Sequence, residues 1–206
     1  MNTRDFLGRV LGDTGHYCVF GLAPGGTKRI QKFYSSIDAA LDSARASDAN
    51  GLNAYFALAT FEQDDRRPKD NAKQMRSLFL DLDCGPEKPF ADQSEALAGL
   101  RGFCKELGLP KPLIVNSGRG LHVYWALKEP LTAAEWLPLA QGLKRACAAN
   151  GFEADPDVTA DAARILRVPG THNYKSDTPI QVEVLAGGKA EAVAPEAFKT
   201  ALNGYA

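Results

Sequence analysis

Apolar positions between Tyr17 and Phe61 gather into short runs with moderate alternation. They predict strands near Tyr17–Leu22, Arg29–Phe33 and Leu52–Phe61, with a helix near Ile37–Ala46. Asn50 and Gly51 tolerate the left-handed backbone in which helices commonly end, so they close that helix. Glu62–Gln74 is highly charged, contains Pro68 and reads as a loop. From Arg76 the pattern sharpens: a strand to Asp83, a helix near Gln93–Leu107, strands Leu113–Asn116 and Leu121–Leu127, and a helix over Ala133–Ala149. Ile180, Val182 and Val184 then alternate with Gln181 and Glu183, as in a half-buried strand over Ile180–Leu185. Pro195–Leu202 reads either as a closing helix or as the opening of a further element.

The second half therefore runs βαββαβ. That order fits a ferredoxin-like or RNA-recognition-like sheet, in which the first and third strands are central neighbours and helices cover one face. With 206 residues and ordinary apolar and charged fractions, the chain can bury a sizeable core as one domain or two closely packed halves. No apolar run approaches the roughly 20 residues that cross a bilayer, and Met1–Asp5 lacks a signal core, so no membrane partner and a cytoplasmic location are expected. Cys18, Cys84, Cys104 and Cys147 form no CxxC pair, which argues for buried free thiols and against zinc. A net charge of −1 and a pI near 6.3 exclude a uniformly basic surface, so any nucleic-acid contact must be local.

Chemistry concentrates in three segments. In Leu78-Phe-Leu-Asp-Leu-Asp83, strand alternation sends Leu78, Leu80 and Leu82 to one face and Phe79, Asp81 and Asp83 to the other, read as the solvent face. Neighbouring carboxylates raise each other's pKa until a cation neutralises them, and hard oxygen donors suit Mg²⁺ or Mn²⁺. The second segment, Ser117-Gly-Arg-Gly-Leu-His-Val-Tyr-Trp125, places Gly118 and Gly120 around Arg119, where backbone amides could approach a phosphate. Leu121, Val123 and Trp125 share one strand face and leave His122 and Tyr124 on the other, away from apolar neighbours. The segment lacks the Gly-Lys-Ser/Thr of a Walker A loop, and Gly21–Gly26 is insufficient for a dinucleotide fingerprint. In the third, Asp155–Lys175, Thr159 or Asp161 can cap a helical turn over Ala162–Leu166, which sets Arg164 and Arg167 on one side. Pro169-Gly170 then turns the chain toward His172, Asn173 and Lys175.

Over residues 76–175 these segments resemble the archaeo-eukaryotic primase superfamily, or primase-polymerases, especially members carried by phages and plasmids. The resemblance implies an α+β archaeo-eukaryotic primase fold: an N-terminal α/β subdomain over 1–75 packed against an RRM/ferredoxin-like βαββαβ catalytic half over 76–206. It implies metal-binding acids at Asp81, Asp83 and Asp155, with Asp157 and Asp161 as alternatives for the third. Ser117, Gly118, Arg119, His122, Arg164, Arg167, Asn173 and Lys175 fall at nucleotide-binding positions, Asn173 where the archaeal pattern has histidine, and His122 is placed with the catalytic acids. The cysteine-rich zinc element of many cellular primases is missing.

The activity implied is DNA-templated nucleotidyl transfer, as primase, DNA polymerase or both. Two Mg²⁺ or Mn²⁺ ions would organise it, and no zinc. The partners implied are single-stranded DNA or primer-template, nucleoside triphosphates and a replicative helicase in cis or trans. Arg66, Arg67, Lys69 and Lys73 form a charged stretch along which a template strand could track. Two other readings use the same residues: a metal-dependent nuclease, and a noncatalytic replication-initiation module that binds DNA.

Overall fold

Two long antiparallel ladders carry the molecule, and the gap between them makes the site. The computed structural model describes residues 1–186 and 190–205. The elements are α1 (Thr3–Val10), β1 (His16–Leu22), β2 (Arg29–Tyr34), α2 (Ile37–Ala49), β3 (Asn53–Phe61), β4 (Ala72–Asp83), α3 (Gln93–Leu107), β5 (Leu113–Asn116), β6 (Gly120–Thr132), α4 (Ala133–Ala149), α5 (Pro156–Thr159), β7 (Ile165–Arg167), β8 (His172–Asn173), β9 (Ile180–Gln181), β10 (Glu183–Ala186) and α6 (Pro195–Ala201). The main sheet runs β10-β5-β6-β4-β3-β1-β2, with β7 added to β3. Both halves of the sequence therefore share one sheet.

The first and third strands of the βαββαβ unit, β4 and β6, pair from Ser77↔Ala126 to Asp83↔Gly120. The last strand departs from the expected ferredoxin-like order: β10 lies on β5 rather than on β4. It is also interrupted, because Val182 leaves the ladder to donate its N–H to Thr171 O at 2.8 Å and to accept from Gly170 N–H at 2.7 Å.

β3 and β4 pair only at Ala59–Phe61 with Met75, Gln74 and Ala72. Beyond that point the sheet forks: β4 continues beside β6, while β3 turns to β7 through Tyr55↔Arg167, Phe56↔Leu166 and Ala57↔Ile165. A buried strand edge cannot leave its carbonyls empty. In the fork Ser77 O accepts from Trp136 Nε1 at 2.8 Å, and Asp81 O accepts from the Asp155 amide at 3.0 Å. The second of these bonds fixes the start of α5 beside the acid-bearing strand.

α1 was not foreseen from the sequence, and it changes the chemistry. Asn2 caps it by accepting from the Asp5 amide, and Phe6, Leu7 and Val10 form its buried side. Phe6 meets Phe56 and Tyr124 edge-on at 6.1 and 5.1 Å, while Ser77 Oγ donates to Val10 O. The face of Phe79, Tyr124 and His122, expected to meet solvent, is covered by Phe6 on Tyr124 and by Trp136 of α4, which stacks on Phe79 at 5.6 Å: Phe79 and Tyr124 are fully buried and His122 is 4% exposed. Other differences are local. The loop before β4 ends in a 3-10 turn at Lys69–Asn71 and yields to strand at Ala72, and Ile165–Arg167 forms a strand instead of a helical turn.

Candidate functional site

Asp81 and Asp83 end β4 opposite His122 and Gly120. Asp155 stands at the N-cap of α5, tied by its own amide to Asp81 O, with its carboxylate accepting from the Asp157 amide at 2.9 Å. Asp83 reaches Lys88 Nζ at 2.9 Å. Burial, then the charges of Asp83 and Asp155, push the Asp81 carboxyl up to about 7, against the pull of Arg164 and Lys175. Three carboxylates brought this close offer oxygen atoms whose mutual repulsion a cation would relieve. Among the described residues no three acidic, histidine or cysteine side chains already close into a metal cage. Asp83 is engaged by Lys88 and Asp155 by the Asp157 amide.

The donor chemistry fits a hard divalent ion. All three groups offer oxygen, the donor such ions prefer, and burial and Asp83 push the nearby Cys84 thiol up to about 11. The two alternative acids lie elsewhere in the network. Asp157 is exposed, and Asp161 accepts from the Ala163 amide while pairing with Lys69 at 3.4 Å and approaching Arg164 at 3.8 Å.

His122 corrects the expectation of an accessible histidine. Burial, reinforced by Arg167, holds its imidazolium form down to about 3, so the ring is neutral at ordinary pH. The 3.7 Å approach of its Nε2 to Asp81 is thus not an ion pair, and its Nδ1 lies 3.4 Å from Tyr124 Oη. The neutral ring lies beside Asp81 beyond hydrogen-bond distance.

The Ser117–Gly120 turn is forced by its glycines. Gly118 has φ +95°, and a Cβ there would sit 2.9 Å from Asn173; a Cβ on Gly120 would meet Leu82 O at 2.2 Å. The amides of Ser117 and Gly118, expected to be free for phosphate, are already donated to Gly120 O at 3.0 Å and Asn116 Oδ1 at 2.8 Å. What the turn offers to the cleft is the Ser117 side chain and the exposed Arg119, whose Nε bonds Ser176 Oγ at 3.2 Å.

The facing wall is cationic. Arg164 keeps a buried Nε with no hydrogen-bond partner. Arg167 is 5% exposed, donates to Asn53 Oδ1 at 2.6 Å and stacks over the Tyr55 ring at 4.8 Å. Arg164 precedes β7 and Arg167 ends it, and both line the same cleft. Burial and Arg167 lower the pKa of Lys175. Asn173, expected to meet phosphate, is buried and acts as a latch: its Nδ2 donates to Ser117 O at 2.8 Å and its Oδ1 accepts from the Lys175 amide at 3.0 Å. His172 is held outside this contact by Asp48, 3.0 Å from its Nδ1.

Together the two walls enclose an open cleft of about 780 Å³, lined among others by Asp81, Asp83, Ser117, Arg119, Arg164 and Lys175. Asp155 borders the adjoining cavity of about 490 Å³, which shares Asp83 with the cleft. Tyr55, Asn53 and Lys88 were missed by sequence reasoning. Asn53 and Tyr55 alternate within an apolar strand, which is a readable signal; nothing local marks Lys88. The charged stretch is not a free stripe: Arg66 pairs with Asp70, Lys69 with Asp161 and Lys73 with Glu62, while Arg67 donates to Gln31 and to Ala163 O.

The primase-polymerase domain of cyanophage S-2L superposes on this chain with a TM-score of 0.65 at 18% identity, covering 91% of this chain and 89% of that one. The catalytic domain of primase RepB′, solved with initiator DNA, gives 0.59 at 14% identity over 99% and 95%. The chain has the archaeo-eukaryotic primase fold. The polymerase domain of Mycobacterium tuberculosis ligase D, in complex with DNA, gives 0.54 at 16% identity over 98% and 85%. In sequence, a Clostridium perfringens replication protein is 32% identical over 137 residues; the match takes in 66% of this chain and 32% of that protein. No family model matches the chain. On this primase fold, acids at the end of a central strand face cations from a later, irregular segment. No helix among the described residues is long and apolar enough to cross a membrane.

Proposed function

We propose that the chain joins nucleoside triphosphates on a DNA template, as a primase, a DNA polymerase or both. One observation carries this reading: segments far apart in sequence converge on one cleft with Asp81 and Asp83 on one side and Arg119, Arg164 and Lys175 on the other. Water activation alone would call for the acids. A cationic wall opposite them suits a polyanionic triphosphate.

Asp81, Asp83 and Asp155 would hold divalent cations, Mg²⁺ or Mn²⁺. Bound there, such ions make an attacking hydroxyl more acidic and offset charge on the departing pyrophosphate. Arg119, Arg164 and Lys175 bind the triphosphate, Arg164 standing beside Asp161 with its Nε 3.8 Å from that carboxylate. Arg167, fixed by Asn53 and Tyr55, sets the positive potential of the floor. Ser117 offers a hydroxyl at the cleft wall, and neutral His122 lies beside Asp81. Asn173 keeps the Ser117 turn and Lys175 at a fixed separation.

The test is product formation on single-stranded DNA with Mg²⁺ or Mn²⁺ and nucleoside triphosphates, with and without an annealed primer, comparing wild type with Asp81→Ala/Asp83→Ala. Product that vanishes in the double variant supports the reading, and its dependence on primer separates priming from extension. Folded wild-type protein that cuts DNA without triphosphates would replace it with a nuclease.

A further inference from the structure

The structure assigns a second surface to the nucleic acid. We infer that the uncovered face of β1, β2 and β3 is a platform for single-stranded DNA, on which bases stack against Phe20 and Tyr55 while Arg29 and Arg67 follow the phosphates. The inference rests on the nucleotidyl-transfer reading for the identity of the strand as a template.

Strand register defines the face. Phe20 lies opposite Gln31 and Tyr55, Leu22 opposite Arg29, and Tyr55 opposite Arg167, so these side chains share one side of the sheet. α1 and α2 meet the other side, around Val19, Ala40, Leu41 and Phe56. Phe20, Leu22 and Tyr55 remain partly exposed, and Arg29 and Gln31 are exposed. The Phe20 and Tyr55 rings stand 6.4 Å apart, and Tyr55 and Leu22 also line the cleft, so the platform runs into the site without a break.

Charge favours the same occupant. From Thr14 to Ile37 the sequence contains no acid but includes Lys28, Arg29 and Lys32, in a chain whose net charge is −1. Among the described residues Arg66, Lys69 and Lys73 are ion-paired, whereas Arg29 and Arg67, the latter reaching Gln31 on this face at 3.4 Å, have no acid within ion-pair distance. Aromatic rings beside Arg29 and Arg67 on an open sheet face suit unpaired bases, since every base has a π-face and every linkage a negative charge.

Anisotropy of a fluorescent single-stranded oligodeoxynucleotide, measured in chelator so that the acids play no part, tests the platform. Phe20→Leu keeps the apolar bulk and removes the ring; it should weaken binding about tenfold. Arg29→Gln should lower the slope of log K against log salt by about 0.7. Lys32→Gln makes the same charge change on the opposite side, because Lys32 pairs with Val19, and should change Kd less than twofold. Wild type that does not bind, or Phe20→Leu and Arg29→Gln that bind as wild type does with unchanged melting temperatures, overturns the platform. Primer extension separates the two ideas. A wild type that binds but forms no product removes the polymerase reading and leaves the platform; product with an unchanged template KM in both variants does the reverse.

Discussion

The two walls of the cleft are built by different means. The acid wall stands on the continuous β4–β6 ladder, and its neighbours Leu78, Leu80, Leu82 and Val123 are fully buried. The cation wall stands on turns and on the two- and three-residue strands β7 and β8, held by side chains from elsewhere: Asn53 on Arg167, Asp48 on His172, and Asn173 on the Ser117 turn. A ladder fixes carboxylates at a spacing that mutual repulsion would otherwise open. A latched segment can shift with its ligand. The acids are thus preorganised by backbone and the cations by a few replaceable hydrogen bonds, and each wall should fail in its own way.

The largest effect is expected where both walls share a support. Phe6 touches Phe56 on one arm of the fork and Tyr124 on the other, and is fully buried. Phe6→Ala should cost about 3–5 kcal/mol in chemical denaturation. A loss under 1 kcal/mol would mean that α1 does not join the arms. Next, Asp81→Asn keeps the shape of the acid wall and removes one charged oxygen ligand. Product formation should fall about 10²–10³-fold with no loss of melting temperature. Comparable activity in Asp81→Asn would remove Asp81 from the chemistry altogether.

The cation wall is probed by a coupled pair. Asn173→Ala releases Ser117 O and the Lys175 amide and should cost about 1–3 kcal/mol. It should also raise the triphosphate KM more than it lowers kcat, since the acids are untouched. Gly118→Ala is strained twice, by φ +95° and by a Cβ 2.9 Å from Asn173. In the Asn173→Ala background the contacts with Cγ and Nδ2 are gone while the 2.9 Å contact with Cβ and the backbone strain remain, so the combined loss should fall short of the sum of the two by roughly 0.5–3 kcal/mol. Strict additivity would mean that Asn173 is no latch.

The same contrast decides what could be read from the sequence. Asp81 and Asp83 were legible because a strand's period of two separates them from Leu78, Leu80 and Leu82, and α3, β5 and α4 begin and end where local periodicity puts them. His122 was misread for a reason that is not local. Its strand face is closed by elements distant in the chain, among them α1, more than a hundred residues earlier, only eight residues long and with few apolar positions. The arginine segment was misread as helical because Asp161 and the alanines resemble a capped turn; pairing of Ile165–Arg167 with β3 overrides that local preference. Asn173 fell on a family position for phosphate, yet its side chain is spent on Ser117 and Lys175, a use that only tertiary contact reveals.

The smallest effect concerns the charged loop that the sequence offered as a template track. Arg66–Asp70, Lys69–Asp161 and Lys73–Glu62 are separated by 3.2, 3.4 and 3.2 Å, with both partners of the first pair at least half exposed. Exposed pairs of this kind contribute about 0–1 kcal/mol, because solvent screens them and two long side chains lose rotamer freedom. Alanine at Arg66 should therefore leave stability within about 0.5 kcal/mol. It should also barely move the salt dependence of DNA binding, because Asp70 already balances its charge. Arg29, exposed and without an acid beside it, should move that slope. If Arg66→Ala lowers it as much as Arg29→Gln does, DNA displaces the loop's ion pairs and the loop, not only the open sheet face, carries the strand.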